Sequence, residues 1–217
     1  ALLPLLVSLA LGQRHGSIAW ALDEMSPQLC WAVGGALTLA AGAAEAIPWA
    51  LGARYAESVL PCQVLMAGTA FSLPAAFHAA VARAVDRVGV SVAALTALAA
   101  ANIALDLLWV PRAGMMGAAW ATTVAFAVSG LVYFPFFHRL PALRGAAPGR
   151  RYAMLLGLLP PLAFAAAAWR LTQPLHRLGA CAGLLSLAVL AARQLRVFRR
   201  STLDELDGVA MPGLARA

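Results

Sequence analysis

The chain contains no lysine. All sixteen of its basic residues are arginine, and only 12% of its 217 residues carry a charge. With so much alanine alongside, the all-arginine usage reads as a coding bias. Soluble domains devote about a quarter of their residues to charge, so too little polar surface is left here to clothe a soluble enzyme. A disordered tail is excluded too, because such segments are polar and poor in apolar residues. The formal net charge of +7 does not point to nucleic acid, since a nucleic-acid binder displays its basic residues on a polar face. Cysteine is scarce as well. Cys30, Cys62 and Cys181 are odd in number, widely spaced and form no C-x-x-C pair. Neither a disulfide framework nor a zinc site is expected, and the three read as small buried apolar residues. Catalytic signatures are missing: there is no G-x-S-x-G, H-E-x-x-H, Walker or G-x-G-x-x-G sequence. The reading is therefore of a chain that is no enzyme, with no cofactor and no metal.

What is present is apolar. Hydrophobic residues make up 62% of the chain, and the mean hydropathy is +0.80. A membrane-crossing helix needs about 20 mostly apolar residues. Six stretches meet that length, at 28–50, 60–82, 89–110, 114–137, 152–171 and 177–195. Before them, 1–12 is apolar but short. It lacks the basic start and the cleavage site of a signal peptide, so it reads as a span cut by the start of the chain. The fold class expected is an all-α integral membrane protein with six transmembrane helices plus a truncated N-terminal helix. Residues 1–195 form the helical lobe and 196–217 a polar tail.

Charge orients this lobe. Alternate connectors lie on the same side of the bilayer, and twelve of the sixteen arginines fall on one side. Arg54, Arg112, Arg170 and Arg177 fall on the other. By the positive-inside rule the arginine-rich side is cytoplasmic, which puts the C-terminal tail inside. The inner loop 139–151, rich in Arg, Gly and Pro, suits contact with anionic headgroups or reflects the ordinary cytoplasmic bias.

The spans are rich in small residues, which let membrane helices approach closely. Pro74, Pro160 and Pro161 are expected to kink their helices, since a proline inside a helix removes a backbone bond. Polar groups within the spans are few. Asn102 and Asp106 are four apart and share a helix face. They line a polar cavity with a cation-sensitive carboxylate, or else Asn102 bonds to a neighbouring helix while Asp106 reaches the interface. Glu45 contacts a headgroup or interfacial water. His78 is a proton relay or an interfacial residue, and Gln63 lies just inside the outer end of its span. Trp20, Trp31, Trp49 and Trp109 sit near the expected interfaces, as belt residues do.

Two stretches carry a resemblance. One is Gly52-Ala-Arg-Tyr-Ala-Glu-Ser-Val, leading into an apolar run. The other runs from Asn102 to Ala119 and contains Asp106, Pro111, Gly114, Gly117 and Ala118. Together they resemble the C-terminal half of polysaccharide-transporter flippases, in the superfamily that also holds multidrug and toxin extrusion antiporters and lipid II flippases. In that family Pro, Gly and Gly recur at the spacing of Pro111, Gly114 and Gly117, where two spans join by a tight turn. Pro111 ends one helix, Gly114 permits the turn, and Gly117 with Ala118 lets the next helix pack closely. Two departures stand out. Asp106 takes a position often held by Asn. The segment Arg83-Ala-Val-Asp-Arg87 lacks a glycine that usually accompanies its basic residue.

The resemblance implies one lobe of a two-lobed transporter in the bacterial inner membrane, moving lipid-linked oligosaccharide by alternating access. The partners implied are the lipid bilayer, an undecaprenyl-diphosphate-linked oligosaccharide, an N-terminal lobe of similar size, and glycan polymerisation and export proteins. Nucleic acid is not among them. Candidate cavity positions are Asn102, Asp106, Gln63 and His78. The branch stays open between this flippase, a cation antiporter and a lipid II flippase lobe. Readings of other classes are a membrane subunit that assembles glycan enzymes without transporting, and a glycolipid transferase. The transferase would need a carboxylate or histidine cluster at one membrane face, and the sequence shows none.

Overall fold

The computed structural model describes residues 26–84, 86–139, 155–195 and 197. The apolar 1–12, the loop 140–151, Trp20 and nearly all of the tail lie outside the described residues. The helices are α1 (Ser26–Ala43), α2 (Ile47–Leu51), α3 (Val59–Ala84), α4 (Val88–Arg139), α5 (Leu159–Arg170) and α6 (Pro174–Gln194). Two 3-10 turns, Ala44–Ala46 and Ala53–Ser58, flank α2. There is no strand among the described residues.

Four segments are long and apolar enough to cross a membrane: Ser26–Leu51, Ala53–Arg83, Val88–Tyr133 and Pro174–Gln194. The sequence reading expects six. The difference has two sources. Helix α5 has only 12 residues, about 18 Å at 1.5 Å per residue, which is short of a bilayer core of about 30 Å. Helix α4 counts once although it is folded. Its 52 residues hold a single non-helical position, Gly114, at φ 54° and ψ −132°. Running straight, Tyr133 would stand about 68 Å from Val88. Instead its ring lies 6.0 Å from that of His78, near the end of α3. The chain therefore reverses at Gly114. The arm 88–113 runs back along α3, and the arm 115–139 runs parallel to it.

Helix α3 is the centre, packing against α1, α4 and α5. Small residues set the approach. An added Cβ on Gly34 would overlap the carbonyl oxygen of Gly157, and one on Gly68 would overlap the Thr123 hydroxyl. Ala41, Phe164, Ala168 and Cys181 form a buried cluster between α1, α5 and α6. In lipid such contacts act through van der Waals packing, since acyl chains are as apolar as the side chains.

The outer faces of α4 and α6 stay uncovered. Leu95, Ile103, Leu107, Leu175, Leu187 and Leu190 are all more than half exposed. Soluble monomers rarely expose contiguous apolar surface on this scale, and the chain is a membrane protein.

Proline acts differently along the chain. Pro74 lies inside α3. Pro160 and Pro161 instead occupy the first turn of α5, where a missing N–H is not needed. The bend falls earlier, at Gly157–Leu158, because the prolines cannot donate to the carbonyls of Leu156 and Gly157. Trp31 also departs from expectation. It is buried against Ala192 and Val197 and is no belt residue, because the end of α6 covers it.

Contacts sort the chain into two ends. The Ala44–Ser58 segment, the start of α3, the Gly114 fold and the α5–α6 loop meet at one end, joined by Glu45, Gln63 and Arg177 and by Trp120 against Trp169. The ends of α3 and of the second α4 arm lie at the other, with the end of α6 against Trp31.

Candidate functional site

The fold of α4 is built by the residues that carry the resemblance. Pro111 lacks the N–H that would bond the Leu107 carbonyl, and the Arg112 guanidinium donates to the next carbonyl, that of Leu108, at 2.6 Å. Gly114 then takes a backbone conformation that only glycine adopts at little cost. At Gly117 a Cβ would overlap the Trp109 carbonyl oxygen and stand 2.6 Å from its carbon. The two arms thus meet backbone to backbone, with Ala119 buried just beyond.

On the first arm, two turns before the fold, Asn102 Nδ2 donates to Asp106 Oδ2 at 3.0 Å. The bond is within one helix, not across helices as one sequence reading had it. Asn102 Oδ1 and Asp106 Oδ1 are both buried and accept no hydrogen bond. No cation pairs with Asp106 among the described residues, since Arg112 is turned to Leu108. Two bare acceptors side by side in a low-dielectric setting are costly. They form a site with spare capacity for a donor: a hydroxyl, an ammonium or a cation.

Near the start of α3, Gln63 is fully buried. Its Nε2 donates to Glu45 Oε1 at 2.7 Å, and its own Oε1 accepts nothing. Glu45 also accepts from Arg177 Nη1 at 3.1 Å, with the two side chains only 9% and 16% exposed. Glu45 is therefore ion-paired rather than turned to interfacial water, and the reason is Arg177, brought back from 132 residues away. Arg177 Nε donates to the Leu171 carbonyl at 2.7 Å. The sequence reading missed Arg177 as a partner. Its only signal was a charge on the arginine-poor side.

His78 lies fifteen residues after Gln63 on α3, about 22 Å along the axis, and its ring is tilted 42° to that of Tyr133. The four candidate positions are not one site. Asn102 and Asp106 meet, Gln63 joins Glu45 and Arg177 at the same end, and His78 sits at the far end. The Asn102–Asp106 bond and the Gln63–Glu45 bond share no residue.

Among the described residues no cluster of three metal-ligating side chains occurs, and the three cysteines are free thiols. Trp49 is 92% exposed and Trp169 more than half, as interfacial anchors are. No protein-family model, no curated protein and no solved structure matches the chain.

Proposed function

We propose that this chain is one lobe of a flippase that carries lipid-linked oligosaccharide across the bacterial inner membrane by alternating access, making and breaking no bond. The observation that carries the proposal is the pair of buried oxygens of Asn102 and Asp106 that no protein donor satisfies, on the arm that leads into the Pro111–Gly117 fold. A glycan is a dense array of hydroxyl donors, and bare acceptors held on a rigid helix suit it. The tight α4 hairpin is also what the family resemblance predicts for those residues.

In this reading Ser26–Leu51, α3, the two arms of α4, α5 with the residues before it, and α6 make six crossings. The end holding Arg54, Arg112, Arg170 and Arg177 faces out, and the C-terminus faces the cytoplasm. A second lobe completes the cavity, and glycan polymerisation and export proteins take up the product.

The test is glycan export by the full-length protein in cells lacking their own flippase. Asp106→Asn and Asn102→Ala are expected to lower surface glycan about tenfold at equal protein level. That loss corresponds to the ~1.4 kcal/mol typical of one polar contact to substrate. Two results would defeat the reading. In one, the protein exports cationic drugs and leaves glycan unchanged, which assigns it to the antiporter branch. In the other, the variants change nothing while the protein still recruits glycan enzymes, which makes it an assembly subunit.

A further inference from the structure

We propose that Glu45, Gln63 and Arg177 form a charge-compensated latch that holds the α5–α6 hairpin on the core of the bundle. The proposal is independent of what the protein transports. The first turns of α6 have little else to hold them, since no residue of 174–180 is buried. Apolar packing begins at Cys181, set against Gly42 with its thiol donating to the Thr38 carbonyl at 3.4 Å, and continues to Ala192 against Trp31. That packing holds the later part of the helix through van der Waals contact.

The latch is different in kind. Glu45 Oε1 receives two donors, from α3 and from α6. Arg177 meanwhile closes the α5–α6 loop through the Leu171 carbonyl. Three separate parts of the chain are tied at one oxygen.

The pair also answers an electrostatic problem. Arg177 lies in the first turn of α6, where the helix dipole disfavours a cation, and its side chain is only 16% exposed. Glu45 compensates the charge. Removing one partner leaves the other nearly buried and uncompensated, which costs more than the pair itself contributes.

The structure supplies its own reporter. A Cβ on Gly42 would stand 3.4 Å from Cys181 Cβ and 2.8 Å from its sulfur, close to the ~3.5–4.5 Å Cβ separation of disulfides. Gly42→Cys is therefore expected to cross-link to Cys181 whenever α6 is docked. The experiment uses the full chain in native membranes, with Cys30 and Cys62 changed to Ala, and measures the rate of oxidative cross-linking. Glu45→Gln and Arg177→Gln should each slow it about tenfold, and the exchange Glu45→Arg with Arg177→Glu should restore at least half of the original rate. Equal rates in the single variants would overturn the proposal. So would slow rates that the exchange fails to restore, because the loss would then be general damage and not pairing. Should the single variants fail to accumulate, Glu45→Gln combined with Arg177→Gln is read instead. Slowed cross-linking in that double variant supports the latch, and an unchanged rate or failure to accumulate refutes it.

Discussion

Gly117→Ala tests the closure of the α4 hairpin directly. The added methyl would meet three backbone atoms: it overlaps the Trp109 carbonyl oxygen, and it stands 2.6 Å from the Trp109 carbon and 3.0 Å from the Val110 nitrogen. Non-bonded carbons rest at about 3.5–4.0 Å, so the arms must part by about 1 Å. Backbone cannot turn aside as a side chain can. Overpacking costs ~1–3 kcal/mol where side chains give way, and the upper end of that range, about 3 kcal/mol, applies here. For a chain of this length 1 kcal/mol moves the midpoint by about 2–4 °C. The full-length variant in mild detergent should therefore lose its monodisperse form about 6–12 °C below the parent. Gly130 is the control, because nothing lies within 4 Å of a Cβ built there. Removing a mid-helix glycine at such a site gains about 0.5–1 kcal/mol, so Gly130→Ala should melt at or slightly above the parent. The reasoning fails if Gly117→Ala melts within about 2 °C of the parent. The arms would then not meet at Trp109, and the fold at Gly114 would be looser than described.

Two more changes probe the packing around α3. Gly68→Ala puts a Cβ 2.9 Å from Thr123 Cβ and 3.0 Å from its Cα, and should cost ~1–3 kcal/mol in the same melt. Adding Thr123→Gly should recover at least about 1 kcal/mol of it, whereas simple additivity would show that the two helices do not touch there. Asp86→Gly should raise the midpoint by about 2–8 °C. Asp86 sits at φ 57°, where a non-glycine residue costs roughly 1–2 kcal/mol, and a midpoint that falls would contradict the turn geometry.

The Asp86 turn shows what a sequence can disclose. Arg87 N–H bonds the Ala82 carbonyl at 2.7 Å and Asp86 N–H bonds that of Arg83 at 3.2 Å, the paired bonds of a left-handed helix cap. Asp86 takes the left-handed position of this cap, and Asp is one of the few residues besides glycine that tolerate it. Pro111, Gly114 and Gly117 were legible for a similar reason. A tight turn is specified by residues within a few positions of one another, and its steric requirements leave a local pattern. Helix extent was legible where apolar runs ended at prolines, glycines or arginines.

What the pattern could not disclose is distance-dependent. Trp31 has the composition of an interfacial anchor, and only the return of α6 from 161 residues later buries it. Glu45 looks exposed by position and is paired only because Arg177 arrives from 132 residues later in the chain. Likewise the same-face spacing of Asn102 and Asp106 fixes that they meet, while the burial of their second oxygens away from any protein donor depends on which helices flank them. The polar residues most easily named from sequence are those whose partners are one turn away. The ion pair that ties the last hairpin to the core has no local signature, so the strongest test of the architecture is one that breaks and remakes it by charge.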